Sequence, residues 1–282
     1  MTNIRHLDPS ASPLDYYGSE LRRLREAAGL TREALGGIIF VTGSLVGQIE
    51  TAHKVPTRDF SERVDAGLGT DGMFSRLVGM VLRSQLPTWF QPYADLEARA
   101  TYISTFQAQM MYGLLQTEDY ARAILATGMP SNLDDLLAAR MERQRLLRRD
   151  HPPMIWVVLD EAALLRPIGG SEVMRNQLRH LLSFRDQRWV RIQVLPFAAG
   201  GHASLIGSFN MLRFDDDPDL VYTEDLISGH MTANPETVRE GSLRYAHLQA
   251  AALSVEESAA LIARVMEERY GEQSGADERA LA

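Results

Sequence analysis

The sequence predicts an α+β protein, in which an N-terminal all-α domain of five helices is followed by a larger mixed α+β domain with a small sheet. In the first part, apolar residues recur at helical spacing within short segments bounded by capping residues or glycines. In the second part, short β-rich apolar runs alternate with longer amphipathic segments. The predicted ranges are a flexible arm at 1–13, the helical domain at 14–86, the α+β domain at 87–270 and a flexible tail at 271–282.

Capping residues and breaks delimit the five helices of the first domain. YYGSELRRLREAAG is amphipathic and ends at Gly29. Thr31 caps REALGGII, and Thr42 caps the helix that follows it. RDFSERVDAGLG begins after Thr57, and GMFSRLVGMVLRSQL runs into Pro87, where the first domain is predicted to end.

The second domain combines predicted strands with amphipathic helices such as VMRNQLRHLLSFRD. MIWVVLD is short, apolar and rich in branched residues, which is typical of a buried strand. The acidic segment DDDPD is predicted to form a hairpin turn between two strands. The predicted strands are YISTFQA, MIWVVLD, VRIQVLP, GSFNMLRF and VYTEDLI.

The amino-acid composition limits the kinds of protein that this chain can be. The chain has 282 residues, of which 45% are hydrophobic, so it can bury a core as one or two domains. It contains no cysteine, which excludes disulfides and favours the reducing cytoplasm. The N-terminus lacks an apolar signal-peptide core, and no apolar run reaches the roughly 18 residues of a membrane span. The net charge of −8 argues against a generally basic nucleic-acid binder but leaves room for a local basic face.

Residues 31–52 show the layout of a helix-turn-helix, with a helix, a tight turn and a second helix. Leu35, Val46 and Ile49 fall where two crossing helices share a core, and Gly36 where they approach closely. Glu50 is expected in a polar rim at the end of the second helix. The pattern predicts a DNA-binding domain whose second helix enters the major groove.

The second helix carries two glycines, although each costs roughly 1 kcal/mol against alanine in a helix interior. If Gly43 and Gly47 face DNA, they allow a close backbone approach, while Gln48 pairs with adenine and Ser44 with several base edges. Leu45 suits contact with a thymine methyl group. In the alternative, the glycines permit tight packing of the two helices and Leu45 belongs to the core.

Residues 18–68, with LRRLREAAGLT, TGSLVGQIE and VPT, resemble the lambda-repressor/Cro-like (xenobiotic-response-element-type) helix-turn-helix domains. The sequence departs from that pattern at four points. Phe40 replaces the turn glycine, so a differently shaped turn is expected. Ala34 replaces the capping-box acid, and Gly43 and Gly47 replace common polar residues of the second helix. Ile38 and Ile39 are unusually apolar for the first helix of the motif.

The second domain resembles a family of actinobacterial proteins, the antitoxin-like (WhiJ-like) transcriptional regulators of streptomycetes. The resemblance covers about residues 14–265, and its motifs include PTWFQPYADLEARA, YGLLQTEDYARAIL, WVVLDEAALLRP and VLPFAAGGHASLIGSFNMLRF. It implies a cytoplasmic, nucleoid-associated transcription factor with a C-terminal domain of unknown biochemical role. It also implies a small partner protein encoded by a neighbouring gene.

Local charge predicts a homodimer. Residues 15–68 contain seven Lys/Arg and eight Asp/Glu, so one domain offers few phosphate contacts. A dimer doubles the contacts and reads two half-sites about one helical turn apart on a double-stranded operator. Arg32, His53, Lys54 and Arg58 are the predicted phosphate-facing residues, with solvated surface charge as the alternative. The full predicted DNA-binding set is Thr31, Arg32, Thr42, Gly43, Ser44, Leu45, Gly47, Gln48, His53, Lys54 and Arg58.

No enzymatic, metal-binding or cofactor motif is present, so no catalytic residue, metal or cofactor is predicted. A run of arginines in AARMERQRLLRRD is interpreted as a solvated helix or as a grip for DNA or an acidic partner. Asp160 and Glu161 follow a strand, which is a common place for catalytic acids. They also suit the N-terminus of the helix EAALL, where acids interact favourably with the helix dipole. The loop GGHASLIG contains His202, and a ligand-sensing or hydrolytic pocket near His202 and Asp160 is a third hypothesis.

Two hypotheses stand ahead of that pocket. The first is a sequence-specific, dimeric DNA-binding regulator that receives a signal through its C-terminal domain. The second is an antitoxin-like interaction protein that mainly masks a small partner, with Ile38, Ile39 and Leu45 in a protein interface.

Overall fold

The computed structural model describes residues 7–271, so the start of the predicted arm and the tail from 272 onward lie outside the described residues. The chain forms two compact units. The first, called the helical unit, comprises Met1–Gln91 and Asp134–Glu142. The second, called the α+β unit, comprises Pro92–Leu133 and Arg143–Ala282. The predicted α+β class is confirmed.

The helical unit contains the five predicted helices. In four of them a Ser or Thr hydroxyl accepts a hydrogen bond from the backbone N–H three residues later, which satisfies one of the free donors of the first turn. These N-caps are Ser12, Thr31, Thr42 and Thr57. The helices are α1 (Pro13–Ala27), α2 (Arg32–Ile38), α3 (Gly43–Glu50), α4 (Arg58–Leu68) and α5 (Met73–Ser84).

Helix α5 has Gly72 at its N-cap and receives its cap from a carboxylate of α4 instead. Asp65 accepts hydrogen bonds from the N–H groups of Phe74 and Ser75 and from the hydroxyls of Ser75 and Thr70. Partial burial tends to raise the pKa of Asp65, but these hydrogen bonds outweigh it, so the pKa lies below the usual carboxyl value. The ionised form of Asp65 therefore stabilises the packing of α4 against α5.

We expect Asp65→Asn to lower the free energy of unfolding of the helical unit at pH 7 by about 2 kcal/mol, because hydrogen bonds to a charged acceptor are lost. A lowered carboxyl pKa gives stability that is present above the unfolded pKa and lost as pH falls through the folded pKa. Urea denaturation at several acidic pH values should show a shallower acid dependence for the variant. Asp59→Asn, which changes an exposed carboxylate on α4, is the control. Equal acid dependence in Asp65→Asn and wild type would contradict the role of the cap.

A segment distant in sequence completes the helical unit. Helix α8 (Leu133–Arg143) contributes Asp134–Glu142, and its Ala138 packs on a core that includes Leu21, Val64 and Phe74. This differs from the predicted ranges, which place residues 134–142 in the α+β domain. The local helical pattern shows that a helix forms there, but only tertiary contacts decide where it packs.

The α+β unit is built on a sheet of six strands in the order β3-β2-β1-β4-β5-β6. The first three strands are parallel, and β4, β5 and β6 extend the sheet in antiparallel fashion. The strands are β1 (Tyr102–Gln107), β2 (Met154–Asp160), β3 (Val190–Leu195), β4 (Phe209–Arg213), β5 (Leu220–Glu224) and β6 (Gly229–Thr232). The other helices are α6 (Gln91–Glu97), α7 (Glu118–Ala126), α9 (Glu161–Leu165), α10 (Ser171–Ser183), α11 (Pro235–Ala251) and α12 (Val255–Tyr270).

The sixth strand was not predicted, and the predicted strand VYTEDLI ends earlier than expected. Asp225 accepts hydrogen bonds from the N–H groups of Ile227 and Ser228, which forces a turn directly after β5. The four residues of β6 show no apolar alternation, and the strand exists because it pairs with β5. The predicted turn DDDPD does join β4 to β5 as a hairpin.

The arginine-rich segment after residue 139 is not a uniformly solvated surface. The Arg143 side chain is 9% exposed and donates two hydrogen bonds of 2.9 Å to Glu97, and Tyr112 donates a further one to the same carboxylate. Arg149 donates to the backbone oxygen of Ala98.

No helix within residues 7–271 is both long and apolar enough to cross a membrane.

Candidate nucleic-acid interface

Helices α2 and α3 form the predicted helix-turn-helix. Leu35, Val46 and Ile49 are fully or almost fully buried in the shared core. A Cβ added to Gly36 would lie 2.7 Å from the Val41 oxygen, so the close approach predicted at this position is confirmed. The two helices therefore pack together as one element with a shared core.

The turn between the helices keeps a glycine-like backbone without a glycine. Phe40 has φ +57°, in the left-handed region that costs a non-glycine residue roughly 1–2 kcal/mol. The N–H of Val41 donates to Gly36 O at 2.8 Å and closes the turn. The expected change of turn shape is thus not found in the backbone, and the Phe40 side chain is 84% exposed instead.

Ser44 and Gln48 occupy the exposed face of α3. Their side chains make no hydrogen bond within the described part of the chain. Leu45 is half-buried against the core, and the Thr42 hydroxyl is engaged by the Leu45 N–H. The groups available for contact with bases are therefore the Ser44 hydroxyl and the Gln48 amide.

The two glycines of α3 face α2. A Cβ added to Gly43 would lie 2.9 Å from the Glu33 nitrogen and 3.0 Å from its Cα. A Cβ added to Gly47 would lie 3.3 Å from an Nη atom of Arg32. This geometry favours the alternative in which the glycines permit close packing, because a side chain at either position meets α2 within the domain itself.

Glu50 lies in the interior and not in a polar rim, which corrects the expectation from the sequence. Its carboxylate is 0% exposed and accepts hydrogen bonds from Arg25 Nε, Arg25 Nη2 and Arg32 Nε, the last at 2.8 Å. The hydrogen bond with Glu50 raises the pKa of the Arg25 guanidinium above its usual value. A buried carboxylate requires such partners because an isolated buried charge is strongly unfavourable.

The predicted phosphate-facing residues do not form one equivalent group. Arg32 is partly exposed and held at Nε by Glu50, which leaves its two terminal nitrogens without a hydrogen bond among residues 7–271. His53 and Lys54 are exposed beyond the end of α3. Arg58 differs from the prediction, because its Nε donates to Glu142 at 2.9 Å and its Nη1 to Ser75 O. Thr31, as the cap of α2, is exposed.

Sequence reasoning missed Arg25 and Glu142 as partners of site residues. Arg25 lies 25 residues from Glu50, and Glu142 lies 84 residues from Arg58. No local pattern signals such pairs. The sequence shows that these residues are charged, but it does not show that they are buried together.

The structure brings together the two residues of the third hypothesis. His202 Nε2 lies 3.7 Å from Asp160 Oδ2, and both side chains are largely buried. Asp160 Oδ1 also accepts the Ala162 N–H and so caps α9, which agrees with the alternative that Asp160 serves the N-terminus of this helix. His202 Nδ1 accepts the Ser204 N–H at 3.3 Å. Asp160 and His202 thus each make a structural hydrogen bond to the backbone as well as lying close to each other.

Comparisons with known families agree with this architecture. A helix-turn-helix domain model matches residues 17–73, and a domain of unknown function (DUF5753) matches residues 90–264. No curated protein and no solved structure is significantly similar to the chain. The helix-turn-helix match supports a DNA-binding regulator. Because the second match spans more than half of the sequence, the protein belongs to the DUF5753 family, with a helix-turn-helix domain at its N-terminus.

Proposed function

We propose that the protein is a sequence-specific transcriptional regulator that binds a double-stranded operator as a homodimer, in the cytoplasm at the nucleoid. The observation that carries the proposal is α3, which presents the unengaged Ser44 hydroxyl and Gln48 amide on a helix braced by α2. Rigid support for exposed polar side chains is what base recognition in the major groove requires.

The small number of accessible basic residues limits the phosphate contacts of one protein chain and supports binding as a dimer. Arg58 is engaged by Glu142, so Arg32, His53 and Lys54 are the phosphate-facing candidates that the structure leaves accessible. Three such residues give weak binding per copy, since affinity for DNA rises with the number of phosphates neutralised. A dimer places two α3 helices in half-sites about one helical turn apart. In this proposal the α+β unit supplies dimerisation and receives the signal.

The double variant Ser44→Ala/Gln48→Ala is expected to lose base preference at about 1–3 kcal/mol for each bidentate contact removed. The measurement is enrichment of short DNA sequences from a random library, followed by binding of the enriched site and of shuffled DNA. Shuffled DNA should bind the variant as well as the wild type, because the phosphate contacts remain.

The matched control is Ser183→Ala/Gln187→Ala, which removes the same two exposed residue types at the same spacing in the α+β unit. Unchanged base preference in Ser44→Ala/Gln48→Ala would remove α3 as the reading element. Failure of the wild type to enrich any sequence would contradict sequence-specific binding as a whole.

A second candidate function is an antitoxin-like interaction protein that masks a small partner encoded by a neighbouring gene. Exposed aliphatic residues of the α+β unit favour it. Leu226 is 97% exposed and Ile227 80% exposed at the tip of the β5–β6 hairpin. In the helical unit, Ile38 is exposed as this hypothesis expects, but Ile39 is buried and Leu45 packs on the core. Co-purification with the neighbouring gene product, lost on Leu226→Ser/Ile227→Ser, is the expected result.

A further inference from the structure

The α+β unit contains a cavity of about 410 Å³ between β4, β5, α11 and the loop at residues 204–208. We propose that this cavity binds a small molecule that combines an apolar body with a protonated amine. Binding of this ligand does not depend on the proposed DNA recognition. An effect of the ligand on gene regulation would rest on that proposed function. The volume lies within the range of roughly 300–1,000 Å³ that is usual for small-molecule sites.

The interior of the cavity is apolar. Phe209 of β4 and Val221 of β5 line it and are themselves almost fully buried. Gly241 brings α11 close to the sheet, since a Cβ there would lie 3.0 Å from Val221 Cγ2. Ile206 also lines the cavity and is 92% exposed, so an apolar ligand would bury it. These surfaces supply the contact area for an apolar body.

The charged residues that line the cavity favour a cation. Arg244 already has a counter-charge, because its Nε and Nη2 donate to Glu240 Oε1, and its Nη1 donates to Ala203 O. Glu240 Oε2 has no hydrogen bond among the described residues. Glu224 accepts only the Tyr222 hydroxyl, at Oε1, so its Oε2 is equally available. Two carboxylate oxygens are therefore free to accept from an ammonium group. The lining carries two carboxylates against one guanidinium that is already paired with Glu240, so the net charge favours a cation over an anion.

The loop that borders the cavity is held in place before any ligand arrives. The Arg244 to Ala203 hydrogen bond joins the loop to α11. Ser204 is buried, and its hydroxyl donates to Gly207 O at 2.6 Å. Gly207 has φ +143°, a conformation that a larger residue rarely adopts. A preformed site saves the entropy of ordering the loop on binding.

The test uses full-length protein and three matched probes, 4-phenylbutylamine, 4-phenylbutan-1-ol and 4-phenylbutanoate, followed by amide NMR. The amine is expected to shift the amide signals of Gly207, Ser208, Thr223 and Gly241 at millimolar concentration. The alcohol should shift the same signals more weakly, and the carboxylate should not shift them. Since no DNA is present, this result stands or falls separately from operator binding.

Charge-removing variants sharpen the test. Glu224→Gln is expected to weaken amine binding by about threefold, the effect of one exposed ion pair, and to leave binding of the alcohol unchanged. Glu236→Gln, an exposed carboxylate of α11 that does not line the cavity, is the matched control and should change neither. Equal or tighter binding of the carboxylate, shifts confined to other residues, or no shift with any probe would overturn the proposal.

Discussion

Replacing Glu50 with glutamine is expected to lower the free energy of unfolding of the helical unit by about 3–5 kcal/mol. The buried Arg25 would lose its buried counter-charge, since Glu50 accepts from both its Nε and its Nη2, and would keep only the exposed carboxylate of Glu26. Arg32 would lose the carboxylate that holds its Nε but can turn to water, because it is partly exposed. Most of the loss in the free energy of unfolding is therefore expected to come from the buried guanidinium of Arg25.

Native-state hydrogen exchange measures this loss where it occurs. The amides of Val46 and Ile49 should lose protection, whereas amides of the α+β strand β2 should keep theirs. Glu33→Gln changes an exposed carboxylate of α2 and should have little effect. The double variant Arg25→Met/Glu50→Leu should recover most of the stability, because a buried ion pair replaced by apolar residues is often neutral. A loss below about 1 kcal/mol in Glu50→Gln would match a solvated pair and contradict the buried one.

Gly43→Ala is expected to destabilise the helical unit by about 1–3 kcal/mol, although alanine is the better helix former. The added methyl group would meet the backbone of Glu33, at 2.9 Å from its nitrogen, and backbone atoms cannot turn aside as a side-chain end can. Helices α2 and α3 would have to separate, which should also displace Ser44 and weaken binding to the preferred DNA sequence.

Gly37→Ala provides the matched control with the opposite sign. Gly37 lies in α2, its Cβ position has no neighbour within 4 Å, and its φ is not positive. Alanine there should stabilise the unit by up to about 1 kcal/mol. Thermal or urea denaturation of both variants tests the pair. Stabilisation by both substitutions would show that Gly43 is not held by packing and would restore contact with DNA as its explanation.

Local signals account for what the sequence predicted about the helical unit. Thr31, Thr42 and Thr57 cap their helices through hydrogen bonds to residues three positions later, and such contacts are encoded within a few neighbouring residues. The spacing of Leu35, Val46 and Ile49 likewise predicted a shared core that the structure confirms. The candidate reading residues Ser44 and Gln48 followed from the same periodicity.

The α+β unit shows how far local signals extend for strands. Five strands were predicted from their apolar composition, and the hairpin at DDDPD from its turn residues. Strand β6 was not, because Gly229–Thr232 becomes a strand only by pairing with β5. The order of the strands and the mixture of parallel and antiparallel pairs also depend on partners far apart in the chain.

By itself, the sequence determined the α+β class, the helix-turn-helix and the exposed polar face of α3, because each depends on residues a few positions apart. Only the tertiary structure decided that Gly43 packs against Glu33, that Glu50 is buried with Arg25, and that Arg58 is engaged by Glu142. The physical reason is that burial and ion pairing are set by whichever side chains the folded chain brings within contact distance, and these partners lie between 10 and 84 residues apart.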